Sequence, residues 1–389
     1  MRVLVLATTF PAVPGDGTPE FVLTLSAELA RNGASVTAVV PRVPGAPRRE
    51  TVDGIAVRRF AYFPRRWETL ATGAIMPNLK SNPKRWGQVL PLVLAFQVAA
   101  LRAIRRERPD VVHAHWILPS GIVAMLLRAL TGIPYVVTVH GADAYTLRSG
   151  IPARIKRAVM RRAYATVPVS TALGDQLRSL GDVHAAVPMG VDVARIRDEI
   201  GARRPEAGRV LLIGRLVDKK GVNVLLDAAA KVPGTRVVIA GDGPIADELK
   251  QQAAALGIAG RVEFLGQCTR TQVMAQLARA AIVALPSQIG ADGDQDGVPV
   301  VLGEAMAAGV PVVASRLGGL AEHILDGETG RLVEPGSVDE LAAALEDMIA
   351  RPELTVQLAT NAARRMSGSL DLAYVGDSYT DLLRAAARS

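Results

Sequence analysis

The feature that most restricts this chain is an alternation of short β-branched runs with helix-length stretches. RVLVLA leads through a Gly-rich loop to EFVLTLSAELARNG and then SVTAVV; VVHAH, GIVAMLLRALTG, YVVTVH, ARIKRAVMRRAYA and TVPVS repeat the scheme. Apolar runs without polar alternation, spaced by helices, predict parallel strands covered on both faces by crossover helices. Gly33 stands where a helix C-terminus favours glycine. The pattern pauses at VPMGVDVARIRDEIGARRPEAG, where glycine, proline and charge replace apolar periodicity, and restarts with RVLLIG, VVIA, RVEFLG, IVALP and VPVVAS. The chain is therefore expected to be α/β, with two doubly wound domains over residues 1–190 and 191–370 facing a central cleft, and a closing segment over 371–389.

The 389 residues suffice for two domains of ordinary size. With 49% hydrophobic and 21% charged residues the composition is that of a globular protein and excludes disorder. Cys268 is the single cysteine and has no intramolecular partner, so a reducing, cytoplasmic setting is expected. The opening MRVLVLATTF reads as a first strand instead of a signal peptide, and the apolar stretch from Val89 is interrupted by Pro91, Gln97 and Arg102, short of a membrane span. Charge is uneven: residues 1–190 hold 24 Lys and Arg against 11 Asp and Glu. The first half should meet an acidic partner, either an anionic membrane leaflet or an acidic substrate, unless these are simply solvated arginine faces. Nucleic acid is not expected, because aromatics make up only 4% and no DNA-binding motif is present.

In doubly wound folds ligands bind beyond the carboxyl ends of the strands. That rule selects Gly15 and Gly17 after the first strand, His113 and His115 around VVHAH, and His140 and Asp143 after YVVTV. In the second half it selects Arg215 and Lys220, the GDGP turn with Gly241 and Gly243, Gly266, and the pair Asp296 and Glu304. The spacing DGDQDG suggests a calcium loop, but position twelve of that pattern is Gly303 and Glu304 comes one residue late, so no metal site is assigned. Glu304 lies among apolar neighbours in VPVVLGEAMAAGV and needs a donor. A nucleotide ribose would supply two hydroxyls, with Gly303 permitting its approach; a buried salt bridge is the other reading. Asp296, with Gly297 and Val298 at the helix entrance, either caps the helix or receives sugar hydroxyls. Arg215 and Lys220 suit a pyrophosphate, or are merely solvated loop cations. His140, at a strand tip, is either a donor to substrate or structural, and His113 with His115 lacks the third ligand a metal would require.

Taken together, PGDGTPEF, VVHAHW, VTVHGAD, VPMGVD, GRLVDKKG, AGDGP, FLG, DGVPVVLGEAMAAGVPVVAS and GGLAEHILDGETGRLVEPG resemble, in order and over nearly the whole chain, the retaining GT-B glycosyltransferases of glycosyltransferase family 4. The family signature is two glutamates seven residues apart; here the first is Asp296, one methylene shorter, and the second Glu304. The resemblance implies Rossmann-like domains, an N-terminal one for the acceptor and a C-terminal one for a nucleotide sugar, with the last helix crossing back to the first. It implies that Glu304 binds the ribose, and that Asp296 with the Gly297 and Val298 backbone holds the donor sugar. Arg215 and Lys220 would neutralise the diphosphate, with Gly15 and Gly17 closing over it. His140 would contact the sugar near the reacting carbon, Asp143 would bind substrate beside it, and Gly241, Gly243 and Gly266 would border the base. No cofactor or metal is expected. The acceptor hydroxyl would belong to a lipid-linked or polysaccharide intermediate. A nucleotide-sugar epimerase and a noncatalytic sugar-nucleotide sensor are the competing readings.

Overall fold

The computed structural model describes residues 1–12, 18–73, 75–141, 145–147, 149–290, 293, 295, 299–368 and 370–389. The chain divides into two compact units. Unit 1 comprises Met1–Val169, Leu173–Val187 and Val375–Ser389, and unit 2 comprises Ser170–Ala172 and Pro188–Tyr374.

Unit 1 is built on a seven-stranded sheet. Its strands are β1 (Arg2–Leu6), β2 (Ser35–Pro41), β3 (Arg49–Val52), β4 (Ile55–Phe60), β5 (Val111–His115), β6 (Tyr135–Val139) and β7 (Ala165–Pro168), in spatial order β3-β4-β2-β1-β5-β6-β7. All neighbours run parallel except the short edge pair β3 and β4. Val3 to Leu6 and all of β5 and β6 are buried, which is why these strands read as uninterrupted apolar runs. The crossover helix Phe21–Arg31 ends as its sequence indicates, with Gly33 at φ +82° sending its N–H to the Ala30 carbonyl.

Val89–Glu107 is the crossover between β4 and β5. Together with the preceding 3₁₀ turn it forms a helical stretch, Pro83–Glu107, long and apolar enough by length and composition to cross a membrane, which the shorter run from Val89 did not indicate. One face, with Leu92, Phe96 and Ala100, is packed on the unit 1 sheet, where Phe96 stacks on Phe60 at 4.7 Å.

Unit 2 carries β8 (Arg209–Ile213), β9 (Arg236–Ala240), β10 (Val262–Gly266), β11 (Ile282–Leu285), β12 (Val312–Ser315) and β13 (Arg331–Val333), in the order β10-β9-β8-β11-β12-β13 and parallel throughout. In each unit the strand order reverses direction once, between β1 and β5 and between β8 and β11. A crevice at the carboxyl ends of those two strands is where such sheets place ligands.

The final helix, Leu372–Ala387, delivers Val375–Ser389 into unit 1. Gly376 lies flush on the first crossover helix: a Cβ there would stand 2.2 Å from Glu28 Cγ. Asn32 donates to Asp377 (3.0 Å) and Thr380 (3.3 Å), and Tyr379 is fully buried with its ring 5.3 Å from that of His113. All three tryptophans lie in unit 1, so their fluorescence reports on that unit alone. In urea unfolding followed by tryptophan fluorescence, Tyr379→Phe should cost about 1 kcal/mol for the lost hydrogen bonds, and Tyr379→Ala about 3–5 kcal/mol for the cavity as well.

Candidate active site

In unit 1 the site is assembled by register. β5 and β6 pair His115 opposite Thr138, so His140, two residues beyond, falls beside the His115 ring. His115 Nδ1 and His140 Nε2 are 2.9 Å apart, and His113, on the same strand face, reaches Thr138 Oγ1 through Nε2 at 2.8 Å. The His140 ring is enclosed by Phe21 and Trp116, each with its centroid 4.8 Å away. His113, His115 and His140 therefore form a row, flanked by aromatic rings, that leads from the sheet interior to the carboxyl end of β6.

The polarity of this row is set separately at its two ends. Tyr379 Oη donates to the Val187 carbonyl (3.5 Å), which can only accept; Thr138 then donates to Tyr379 (3.2 Å), and His113 Nε2–H donates to Thr138. At the other end, His115 Nε2 is buried with no hydrogen-bond partner among the described residues. Were His140 the donor, the His115 proton would sit on that nitrogen as an orphaned buried N–H, the rarest kind of unsatisfied group. With His115 Nδ1–H donating to His140 Nε2, only a lone pair is left there, and the His140 proton resides on Nδ1. Burial holds the row neutral: it pushes His113 and His140 down to about 3, and His115 well below the usual imidazole range, with the neighbouring rings adding to the effect.

In unit 2 the chain leaves β8 through Gly214 and Arg215. Arg215 is exposed and holds no ion pair among the described residues, and the Lys220 stem lies on the Gly214 backbone, where a Cβ would stand 3.3 Å from Lys220 Cε. The two cations thus share the end of β8. Gly221, which the sequence reading did not single out, is required here: its φ is +63° and a Cβ would stand 1.8 Å from the Pro286 carbonyl oxygen at the end of β11. The GDGP turn packs against the same loop. A Cβ at Gly241 would lie 1.9 Å from the Gly214 oxygen, and one at Gly243 2.1 Å from the Leu216 oxygen. Gly241 N donates to the Gly266 carbonyl at 2.8 Å, bringing Gly266 to the same rim. These glycines have a backbone-packing cause that a lone Gly-x-Gly does not reveal.

Glu304 sits on the helix Val300–Ala307 with its side chain 13% exposed. The donor its setting demands is Arg270, whose Nη1 lies 3.0 Å from Oε1; Arg270 also bonds Glu199 through Nε at 2.8 Å, and Glu199 bonds Arg195 at 2.6 Å. Arg270 opens a helix fixed by a Thr269–Gln272 capping box, so its backbone position is well determined. The salt bridge anticipated as one alternative is present. Gly303 does not make room for a ligand. A Cβ there would meet Val191 Cγ2 at 2.4 Å, so its small size serves packing within unit 2. Gly15, Gly17, Asp143, Asp296, Gly297 and Val298 lie outside the described residues.

Residues 16–190 match the family model for the glycosyl transferase 4-like domain, and residues 195–365 that for glycosyl transferases group 1. The D-inositol 3-phosphate glycosyltransferase of Mycobacterium avium is 30% identical over 434 aligned residues, covering 100% of this chain and 93% of the relative. Glycogen synthase of Mycobacterium tuberculosis is 29% identical, covering 100% and 95%. Among solved structures, sucrose-phosphate synthase from Thermosynechococcus elongatus superposes with a TM-score of 0.77 at 22% identity, over 99% of this chain and 98% of that one. HepE of Anabaena, solved with UDP-glucose, gives 0.70 at 21% identity over 99% and 100%. The chain is a glycosyltransferase of the GT-B fold and belongs to glycosyltransferase family 4.

The neutral row makes unit 1 sensitive to acid. The unfolded chain takes up protons on these histidines near pH 6.5, whereas in the folded one His113 and His140 resist until about 3 and His115 is held well below the usual imidazole range, so stability is complete above pH 6.5 and falls below it. Between pH 6.5 and 5, urea unfolding read by tryptophan fluorescence should lose up to about 1.4 kcal/mol per pH unit for each histidine. Replacing His115 with Asn should lower that slope by about a third.

Proposed function

We propose that the protein is a retaining transferase that moves a sugar from a nucleoside-diphosphate sugar to a hydroxyl of a lipid-linked or polysaccharide intermediate, without a metal ion, at the cytoplasmic face of the membrane. The observation that carries this reading is the pairing of Arg215 and Lys220 at the carboxyl end of β8, beside the strand-order reversal. A fold neighbour solved with UDP-glucose supports the donor class, and a relative named D-inositol 3-phosphate glycosyltransferase supports glycosyl transfer.

In this reading the sugar C1–oxygen bond to the diphosphate breaks, and a bond from the acceptor oxygen to C1 forms on the same face. The acceptor proton passes to the departing diphosphate oxygen, so no enzymatic nucleophile is consumed. Arg215 and Lys220 stabilise the charge that develops on the diphosphate, the role a metal ion plays elsewhere. Glu304, held by Arg270, accepts from the ribose hydroxyls. His140 presents its Nδ1–H to a donor-sugar hydroxyl. Asp296 and the backbone at Gly297 and Val298 grip the same sugar, Asp143 binds substrate beside it, Gly15 and Gly17 close over the diphosphate, and the rim formed by Gly241, Gly243 and Gly266 borders the base.

A thermal-shift survey of nucleotide sugars identifies the donor, because a ligand specific to the folded state raises stability by RT ln(1 + [L]/Kd). With that donor, Lys220→Ala should lower kcat by about 10²–10³ while changing donor affinity little; an unchanged kcat removes Lys220 from the mechanism. Turnover should require the acceptor and persist in excess chelator. Interconversion of free nucleotide sugars without acceptor would mark an epimerase, and loss of activity on chelation restored by a divalent ion would overturn metal independence.

A further inference from the structure

A helix that is apolar on every side is ordinarily enclosed, either in a core or in lipid. Val89–Glu107 is apolar on two opposite faces, and the fold of unit 1 covers only one. Leu92, Phe96, Ala100, Ala103 and Ile104 are buried, but the opposite row Trp86, Leu90, Leu94 and Val98, repeating every fourth residue, is 45–66% exposed. The neighbouring helix Ile122–Thr131 adds a second such pair, Leu126 and Leu130, at 40% and 67%. Only 28% of the most apolar stretch of Pro83–Glu107 is buried. Single exposed leucines need no explanation, whereas six large apolar side chains exposed along two helical stretches that pack against each other mark a surface meant to be covered.

The charges around these rows select what covers them. Between Glu68 and Glu107, and again between Asp110 and Asp143, the sequence contains no acidic residue. Lys84, Arg102, Arg105, Arg106 and Arg128 are exposed along the same helices, and Glu107, at the end of the row, is already paired with Arg58 at 2.8 Å. A second copy of the chain would bring like-charged rims together, which disfavours a self-contact. Anionic lipid satisfies both parts: apolar side chains enter the acyl boundary while long basic side chains reach the phosphates. The row from Trp86 to Val98 extends about 18 Å along the helix, a line suited to lying in the interface plane. Because the opposite face is held by the sheet, the helix lies on the membrane and does not span it.

We infer that the face formed by Trp86, Leu90, Leu94, Val98, Leu126 and Leu130 docks the protein on an anionic lipid surface. The inference rests on the peripheral-membrane part of the proposed function and names the surface responsible. The test is co-sedimentation of the full chain with phosphatidylcholine vesicles, with and without phosphatidylglycerol. Wild type should pellet with the anionic vesicles at low salt and be released at high salt. The triple variant Leu90→Gln, Leu94→Gln, Val98→Gln should pellet at least tenfold less while melting at the same temperature and keeping transfer to a water-soluble acceptor. Brominated lipid should quench wild-type fluorescence more than that of Trp86→Phe, a readout that does not depend on the triple variant folding.

Wild type that ignores anionic vesicles overturns the peripheral reading and this inference together. Wild type that binds, with the triple variant binding equally and Trp86→Phe quenched equally, overturns the surface assignment alone. A dimer that the triple variant converts to monomer, with no effect on vesicle binding, assigns the face to a second copy instead.

Discussion

A parallel sheet sends every strand's carboxyl end to the same rim, and each return must cross the sheet as a helix. That constraint governs both units. It gathers residues far apart in sequence at one edge, and it makes the loops there compete for space. In unit 2 the competition is resolved by glycine: the loop after β8, the GDGP turn and the end of β11 approach so closely that Gly221, Gly241 and Gly243 leave no room for a Cβ. Backbone rigidity at the rim is then a by-product of packing, and it holds Arg215 and Lys220 at the end of β8. Preorganised charge is what transfer chemistry with a diphosphate leaving group rewards.

In unit 1 the same rim is furnished by a row of imidazoles. Burial keeps them neutral, and the sequence of donors from His113 through Thr138 and Tyr379 to the Val187 carbonyl fixes the orientation of one end. The His115 to His140 contact fixes the other. A histidine at a strand tip is ordinarily free to choose its tautomer; here the choice is made by the neighbouring His115. The positioning is thus distributed between two strands and the final helix.

Much of this was legible in the sequence, for identifiable reasons. Fully buried parallel strands leave uninterrupted apolar runs, so ten of the thirteen described strands and the α/β class could be read directly, as could the helix ending at Gly33, whereas β3, β4 and β13, at or next to the sheet edges and short or interrupted by charge, were not. Glu304 announced its need for a donor because its neighbours are all apolar. The identity of that donor did not, since Arg270 lies 34 positions upstream and only the packing of two helices brings them together. His115 and His140 meet through strand register, which no local pattern encodes. Gly303 illustrates the converse: its smallness was read as room for a ligand, and the space is filled by Val191. The apolar stretch near Val89 was legible as such, but which of its faces the sheet covers was not.

The assignment of Val375–Ser389 to unit 1 sets an order of events during synthesis. Roughly 190 residues of unit 2 separate this segment from the rest of its own unit. At about 5–20 residues per second a ribosome needs some tens of seconds or less to cover that interval. Throughout it, the nascent first unit carries its sheet and its histidines but lacks Tyr379 to hydrogen-bond Thr138 beside His113 and Gly376 to cover Glu28. Unit 2 has nearly all of its chain in hand first. The unit that emerges earliest is therefore the last to be finished, and its unfilled groove must stay soluble, or be shielded by a chaperone, until the chain returns to close it.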